Sequence, residues 1–556
     1  MKRTNLNLDA GSHNDRRGLV LIIVLIVVVM VSLAGFGFVA VMFTEHKAVR
    51  LRGEQLEIEQ AIASAEVLLG NELKREQRSA GVASIGLNAS EGTLTESQGL
   101  YDNSTLLQAK PLIPDVEDPG VICFTVLSPK RTASDGGSTG SPGELSVRYG
   151  VEDESSRLNL AVLTEWERRL PGSGKAALTK LPGMSEEIAD AILDWLDPDD
   201  QPGELGAEEE YYSTLNPAYS ARNGIPESIE ELLLVKGVTR KLLYGMDVNR
   251  NGLIEEYEIE SGSDFASGDF SEPTTGWEQY LTLYSREANV NSAGRPRIFL
   301  NDRDLPRLYL RLSAIEKSWG EFIVLYRQHG PVLPTAPLPP AVTTVTSTTP
   351  DLKLPPKFHI HDLIELIDAK VLIPAIGSTP STIIESPFKS TPDVLSGILP
   401  KMLDELTVDR QPVIEGRINL NTASAEVLGM IPGLPIESIQ QIVSSQDRIS
   451  GIVPAERKSP AWLWTENLLD RTTFQKVLPF VTSRGGAFRA QVVGYSAQSK
   501  LAGRAEVVID VSSPSPRRLY WKDLQIWGRG YEWGLIDPAL FEGEFPGMGQ
   551  LAGRTP

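Results

Sequence analysis

The strongest hydrophobic pattern in the chain is an uninterrupted apolar run over residues 19–43, directly after Arg16, Arg17 and Gly18. At about 1.5 Å per residue, a helix of this length spans roughly 37 Å, enough to cross a hydrocarbon core of about 30 Å. The apolar core of a secretory signal has only about 7–15 residues. The pattern therefore predicts a membrane-spanning helix.

An amphipathic pattern continues beyond this span, over residues 44–78. Its apolar positions recur at helical spacing with charged residues between them. These positions are Leu56, Ile58, Ala61, Ile62, Ala65, Leu68, Leu69 and Leu73. We expect one continuous helix to leave the bilayer.

Basic residues indicate the orientation of the span. Four of them precede it: Lys2, Arg3, Arg16 and Arg17. The positive-inside bias places this N-terminus in the cytoplasm, so the rest of the chain is expected to be exported. The single Cys123 forms no intramolecular disulfide, so the exported part must be held together by packing or by metal.

Strand patterns flank the middle of the chain. Two precede it, at residues 121–127 and 145–149, and three follow it, at 488–495, 503–511 and 518–527. Their β-branched and aromatic residues are typical of strands. We expect these distant segments to form one antiparallel sheet that packs on the N-terminal helix.

Between the strand segments lies a mostly helical region with an internal repeat. The sequence RLNL at 157–160, followed by LPGM at 181–184, recurs as RINLN at 417–421 and IPGL at 431–434. A weaker copy is LVKGV at 234–238. Each copy places a glycine that can adopt positive φ between two helices, which is the pattern of a helix-hairpin-helix turn.

Charge argues against nucleic acid as a partner. The formal charge is −20, and residues 181–260 hold 19 Asp and Glu against 5 Lys and Arg. Two hairpins would bring Glu187 and Glu437 near a bound phosphate, whereas affinity for phosphates comes mainly from Lys and Arg. Lys236 and Arg240 in the third copy keep a membrane-anchored helix-hairpin-helix DNA-binding protein as an alternative.

A calcium site is predicted at residues 247–258, which match the twelve-residue EF-hand loop. Oxygen-bearing side chains occupy positions 1, 3 and 5, Gly252 allows the sharp bend at position 6, and a glutamate closes the loop at position 12. The predicted ligands are Asp247, Asn249, Asn251, Leu253 through its carbonyl, Glu255 and Glu258.

A second cation site is predicted, with less specific spacing, in the acidic stretch from Asp194 to Glu204, which the glutamates at 208–210 follow. Dense acids around Pro and Gly can ligate a cation, but they form solvated loops equally well. The candidate ligands are Asp197, Asp199, Asp200 and Glu204.

No enzyme motif stands out. The pair His359 and His361 could suggest zinc, but no partner pair lies nearby in the sequence, and a surface or helix-entry role fits them better. The sequence contains no Gly-rich phosphate loop, GxSxG elbow or HExxH motif. We therefore expect no catalysis.

The N-terminus resembles that of type IV pilins and type II secretion pseudopilins: a basic leader ending in Gly18, then an apolar helix that becomes amphipathic. The resemblance implies cleavage by a prepilin peptidase between Gly18 and Leu19. Most pilin-like subunits have a glutamate at the fifth mature position, where this chain has Ile23. A subunit without that carboxylate has no acidic partner for the subunit ahead, which favours the filament tip.

Three further motifs, at residues 191–238, 417–435 and 519–531, resemble the protein K family of type II secretion minor pseudopilins. That resemblance implies an α+β fold: a pilin-like helix and antiparallel sheet with a large inserted helical domain that binds Ca²⁺. It also implies a single-pass inner-membrane protein with its bulk in the periplasm. The implied partners are minor pseudopilins of the I and J types, the major pseudopilin and the prepilin peptidase. A type IV pilus-like minor pilin is the alternative within this class.

These patterns divide the chain into eight predicted segments. They are the leader 1–18, the transmembrane helix 19–43, its amphipathic continuation 44–78, the first part of the β domain 79–156, the inserted helical domain 157–329, a Pro/Thr-rich tether 330–357, a second helix-hairpin-helix region 358–480, and the C-terminal strands and tail 481–556.

Overall fold

The structure is a computed structural model, and it describes residues 15–83, 99–113, 121–130, 147–261, 275–332, 342–375, 380–446 and 453–542. Several predicted segments lie outside these ranges. They are residues 1–14 of the leader, much of the loop after residue 83, the connection between the first two strand patterns, residues 333–341 of the tether and the tail after 542.

The N-terminal helix α1 (Asp15–Ala83) is continuous over 69 residues, about 100 Å at the usual rise. This confirms the predicted passage from apolar to amphipathic helix. Side chains from Val20 to Phe43 are exposed. In the described part of the chain it is the one helix long and apolar enough to cross a membrane, with a mean hydropathy of 3.1 in its apolar window.

A seven-stranded antiparallel sheet lies against the second half of α1 and combines strands from both ends of the chain. The early strands are β1 (Lys110–Pro111), β2 (Ile122–Pro129), β3 (Val147–Arg148) and β4 (Glu152–Asp153), and the late strands are β16 (Ala487–Ser496), β17 (Ala502–Asp510) and β18 (Arg517–Asp523). The short helices α2 (Ser104–Leu107), α16 (Trp533–Ile536) and α17 (Pro538–Glu542) flank it. The central order is β1-β2-β16-β17-β18, which confirms the predicted sheet.

The helical insertion leaves and re-enters this sheet at neighbouring strands. Asp153 of β4 is paired with Phe488 of β16. The two chain ends of the insertion are therefore adjacent, and β2 and β16 pair directly across the sheet.

Helix α1 packs on the sheet through one apolar stripe. Its buried residues share one face of the helix: Ile58, Ala61, Ile62, Ala65, Leu69 and Leu73. Opposite Ile58, Gly494 and Gly503 are paired across β16 and β17. A Cβ atom on Gly494 would lie 2.8 Å from the Ile58 carbonyl oxygen, so glycine allows the close approach of helix and sheet.

The inserted region is mainly helical. Its helices are α3 (Leu163–Arg169), α4 (Ser173–Leu178), α5 (Glu186–Leu196), α6 (Glu209–Tyr212), α7 (Arg240–Tyr244), α8 (Glu256–Ser261), α9 (Leu305–Ser313), α10 (Lys317–His329), α11 (Pro392–Glu405), α12 (Ala425–Gly429), α13 (Ile436–Ser445), α14 (Trp462–Thr465) and α15 (Arg471–Val477). One hydrophobic core extends from Leu158 to Val481. The predicted regions 157–329 and 358–480 therefore share a core, for example where Trp319 contacts Phe388 with ring centroids 5.0 Å apart.

Short strands connect these helices. They are β5 (Leu158–Asn159), β6 (Leu281–Thr282), β7 (Arg286–Ala288), β8 (Ile298–Phe299), β9 (Val342–Val345), β10 (Lys370–Ile373), β11 (Ser381–Glu385), β12 (Leu406–Thr407), β13 (Val413–Glu415), β14 (Ile418–Asn419) and β15 (Val481–Thr482). Strand β9 pairs with β11 in a three-stranded sheet. This part of the predicted tether thus differs from a free linker, because its Val and Thr residues favour strand formation.

Three of the strand pairs are parallel and alike: β5 with β6, β8 with β12, and β14 with β15. An arginine directly precedes the first strand of each pair: Arg157, Arg297 and Arg417. The second strand of each pair holds a buried threonine: Thr282, Thr407 and Thr482. Each threonine hydroxyl accepts the backbone N–H of the residue two positions on. The described part of the chain therefore contains three such units, one more than the two strong copies in the sequence.

The three glycine turns lie where the repeat placed them. Gly183, Gly237 and Gly433 have φ values of 69°, 82° and 77°. Gly183 lies between α4 and α5, Gly237 before α7, and Gly433 between α12 and α13. Each turn thus uses the left-handed conformation that glycine adopts without a steric cost.

Candidate metal centre

A group of three carboxylates lies at the end of α5. Asp194 is on the last turn of this helix, Asp197 follows its end, and Glu208 directly precedes α6. Among the described residues, this is the group of three acidic, histidine or cysteine side chains whose ligand atoms lie within 4.8 Å of one another. The loop between α5 and α6 therefore folds back over the helix and brings Glu208 to the two aspartates.

Backbone N–H groups hold Asp194 in place. Its carboxylate accepts hydrogen bonds from Gly203 N at 3.0 Å and Ala207 N at 2.8 Å. A Cβ atom on Gly206 would lie 1.7 Å from an Asp194 carboxylate oxygen. Gly206 is therefore needed for the loop to pass this close to Asp194.

Glu208 is the unusual member of the group. It is 3% exposed, and neither carboxylate oxygen has a hydrogen-bond partner among the residues that the structure describes. Burial, and then the Asp194 and Asp197 carboxylates, raise the pKa of Glu208 to about 7. Burial and the Asp199 carboxylate raise the pKa of Asp197 to about 6. These residues fit a hard divalent cation such as Ca²⁺, which takes carboxylate oxygens and would offset their repulsion.

The predicted ligands of this second site are only partly brought together. Asp197 belongs to the group. Asp199 accepts Gln201 N at 2.9 Å, Asp200 accepts Asn223 Nδ2 at 2.6 Å, and Glu204 is exposed.

The sequence interpretation placed Asp194 and Glu208 in this acidic stretch but did not choose either of them as a ligand. Asp194 lies within a helix, and Glu208 begins a run of three glutamates from which the sequence alone selects none. The available signal was Gly206, whose missing side chain makes room for Asp194.

The carboxylates at the first and last positions of the EF-hand-like loop 247–258 are buried in the protein. Asp247 is 6% exposed and Glu258 1% exposed. Burial, and then the Glu278 and Glu258 carboxylates, raise the pKa of Asp247 well above its usual range. Gly252 has a φ of 77°, as expected for the bend at position 6. The loop therefore brings two buried acids together around its first and last positions.

The loop oxygens accept hydrogen bonds from the loop itself. Asp247 accepts from Asn251 N at 3.1 Å and from Gly252 N at 2.7 Å. Glu258 accepts from Val248 N at 2.8 Å and from Glu255 N at 3.0 Å.

The other predicted ligands follow the same pattern. The Asn249 side-chain oxygen accepts from Asn251 N at 2.9 Å, and the Asn251 side-chain oxygen accepts from Leu253 N at 2.7 Å. Glu255 accepts from the amide groups of Asn249 and Asn251 at 2.6 and 2.8 Å. The donor set is chemically suited to Ca²⁺.

The same loop also contacts the large sheet and its C-terminal extension. Gln491 Nε2 on β16 donates to the Arg250 carbonyl at 2.7 Å, and Arg504 on β17 donates to the Asn249 carbonyl. Asn251 Nδ2 donates to the Gly530 carbonyl at 2.6 Å. The loop thus joins the helical insertion to the sheet, a contact that the sequence did not predict.

The remaining candidate residues lie apart from both acidic sites. His359 and His361 are exposed, with ring centroids 5.2 Å apart. Gly18 and Leu19 are in α1, ahead of the first described side chain.

The acidic loop lies inside the segment of the chain that matches known proteins. Residues 156–246 match the family model for protein K of the type II secretion system. These residues form a protein K domain. The resemblance inferred from the sequence is thereby confirmed.

Over 101 residues, the chain is also 43% identical to the type II secretion system protein K of Pseudomonas aeruginosa. The aligned part is 17% of this chain and 30% of the length of that relative. Among solved structures, the chain is similar to one from the GspK-GspI-GspJ complex of the enterotoxigenic Escherichia coli type 2 secretion system, with 10% identity and a TM-score of 0.31. That similarity covers 85% of this chain and 99% of the other.

Proposed function

We propose that the chain is a membrane-anchored minor pseudopilin of a type II secretion system and that it acts without catalysis, at the tip of the pseudopilus. The observation that carries this proposal is the protein K domain at 156–246 in a chain with a long apolar helix near its N-terminus. Helix α1 continues from its exposed apolar half directly onto the sheet, which is the arrangement a pilin-like subunit needs.

The tip position is supported by two features. Ile23 stands where a carboxylate would serve a subunit ahead. The insertion, from Glu154 to Gly486, is far larger than the sheet that carries it. We therefore place minor pseudopilins of the I and J types and the major pseudopilin beside and below this subunit, in the inner membrane and periplasm.

Calcium is part of the proposal, at two positions. Asp194, Asp197 and Glu208 would hold one ion, and the loop 247–258 would hold another. Glu208 supports the first because its buried carboxylate has no hydrogen-bond partner in the described part of the chain. The matched EF-hand spacing supports the second. Bound Ca²⁺ would neutralise the acids and hold the insertion in one conformation.

The test of the proposal is the intact mass of the protein extracted from membranes of cells with and without a functional prepilin peptidase. We expect a mature N-terminus at Leu19 only when the peptidase is present. An uncut leader in peptidase-containing cells would contradict the pseudopilin assignment. Co-purification of the I-type and J-type minor pseudopilins with the cut form tests the partners separately.

A further inference from the structure

A cavity of about 480 Å³ lies outside the acidic sites, between the two halves of the helical insertion. Segments around β8, β12, β14 and β15 line it. Six of its lining residues are Lys or Arg and four are Asp or Glu, in a chain of net charge −20. The volume lies in the range typical of small-ligand sites.

The three similar units built on the parallel pairs β5/β6, β8/β12 and β14/β15 provide an internal comparison for this cavity. In the first unit, Arg157 Nη2 donates to Glu152 at 2.5 Å. In the third unit, Arg417 Nη1 donates to Glu287 at 2.8 Å. The equivalent arginine of the middle unit is Arg297, which lines the cavity. Two of the three arginines thus have a carboxylate partner inside the protein.

Arg297 differs from its two counterparts. Its Nε donates to the Asp404 backbone carbonyl at 3.2 Å, and within the described residues no carboxylate oxygen lies at ion-pair distance from its guanidinium. Burial lowers the pKa of Arg297, and the nearby Arg484 and Arg417 lower it further against the opposing effect of Glu287. Taking a guanidinium out of water costs free energy unless a counter-charge offsets it.

The acids nearest to Arg297 already have other partners. Glu287 accepts from Arg417 and from the Thr482 hydroxyl, the latter at 2.6 Å. Asp404 accepts from Arg484 at 2.5 Å and from the Ser292 hydroxyl at 2.7 Å. Both carboxylates are therefore already ion-paired within the chain. The positively charged side of the cavity is complementary to an added anion.

Two further cations at the cavity are available to an anion. Arg410 and Lys458 are exposed lining residues, and neither has an ion-pair partner within the described ranges. Apolar residues complete the wall, among them Phe299, Ile360 and Leu406. The lining thus combines positive charge with an apolar surface.

We propose that this cavity binds a carboxylate group carried on a small apolar body, with Arg297 as its main contact. An acidic peptide segment of another protein and a free organic acid both present this chemistry. Arg297 of the middle unit would then pair with a carboxylate of the ligand, as Arg157 and Arg417 pair with carboxylates within the chain. The proposal does not depend on calcium or on secretion.

The experiment is isothermal titration calorimetry of the full chain in a neutral detergent. The probes are an acetylated Asp-Phe-Glu tripeptide and phenylacetate, and their controls are the neutral analogues, an acetylated Asn-Phe-Gln tripeptide amide and phenylacetamide. We expect the carboxylate probes to bind saturably and roughly tenfold or more tightly than their analogues, because a bond between charged groups is lost in each analogue. Tighter binding of the tripeptide would indicate a peptide source, and binding of phenylacetate alone would indicate a free organic acid.

Variants locate the site. Arg297→Gln should weaken carboxylate binding roughly tenfold or more, whereas Arg307→Gln, which removes an exposed arginine paired with Asp302, should leave it unchanged. If Arg297→Gln does not fold, the double variant Arg410→Gln with Lys458→Gln replaces it, because both side chains are exposed. Absence of saturable binding by both carboxylate probes, equal binding of the neutral analogues, or unchanged affinity in these variants would overturn the proposal.

Discussion

The substitution Glu208→Gln tests the acidic group at the end of α5, because it keeps the size of the side chain and removes its charge. Without a divalent cation, the Glu208 carboxylate is buried, lies near two aspartates and lacks a hydrogen-bond partner within the described ranges. Its pKa rises from the usual 4.5 to about 7. At pH 8 this rise destabilises the native state, relative to the unfolded chain, by about 3 kcal/mol. Because the neutral amide of Gln would also be buried without a hydrogen-bond partner among the described residues, part of this gain is lost, and we expect Glu208→Gln to stabilise the cation-free form by about 2 kcal/mol.

Calcium should reverse the relative stability of the wild type and the Glu208→Gln variant. An ion present at 100 times its dissociation constant adds about 2.7 kcal/mol to the stability of a native site. The neutral amide is a poorer ligand than the carboxylate, so the variant would lose much of this gain. Glu208→Gln should therefore be the more stable protein in chelator and the less stable one in calcium.

Hydrogen exchange of residues 186–212 at pH 8, read by mass spectrometry, measures this locally. A local measurement is needed because a chain with several structural units does not unfold in one step. Glu210→Gln is the matched control, since Glu210 is exposed on the short helix α6, which directly follows Glu208. If Glu208→Gln lost protection equally in chelator and in calcium, the reasoning would be refuted. It would also be refuted if the exchange rate of this segment in the wild type were the same with and without calcium.

Two further predictions concern the large sheet. Gly494→Ala should destabilise the contact with α1 by about 1–3 kcal/mol, because the new Cβ would lie 2.8 Å from the Ile58 carbonyl oxygen; the control Gly397→Ala, with open space around it in α11, should be neutral or stabilising in the same urea titration. Burial raises the pKa of Asp153 to about 6 against the hydrogen bond from Asn419, so its contribution to stability is present below about pH 4 and is lost as the pH rises through 6. Between pH 4 and 7 the wild type should lose up to about 2 kcal/mol relative to Asp153→Asn, and parallel pH profiles of the two proteins would disprove this.

The large elements of the fold could be predicted from the sequence because each has a strong local period. Helix α1 follows from an apolar run that becomes an amphipathic stripe, and β16 and β17 match the predicted strands to within one residue at each end. The glycine turns could also be predicted, since Gly183 and Gly433 stand between apolar residues that two helices bury. In each case the signal lies within a few residues along the chain.

The middle strand-pair unit could not be predicted in the same way. Strands of two residues have no period to detect, and β8 and β12 meet only in the folded chain. Phe299 stands where the other two units have Asn159 and Asn419, which hides the repeat.

The location of the candidate site could be predicted from the sequence, but its ligand residues could be predicted only in part. Acid density and turn residues indicated the loop after α5, and EF-hand spacing indicated residues 247–258. Which acids converge depends on how the loop returns over the helix, as Glu208 illustrates. The contact of Gln491 with the Arg250 carbonyl joins residues from distant parts of the sequence, so no local pattern contains it.

The adjacent chain ends of the insertion have a mechanical consequence. Asp153 and Phe488 are paired on neighbouring strands, so the backbone enters and leaves the insertion at almost the same point. A push or pull along the axis of α1 passes into the sheet through the stripe from Ile58 to Leu73, and it does not have to travel along the backbone of the insertion. Helix α1 and the sheet can therefore transmit a force together, and the helical insertion moves with them without being stretched.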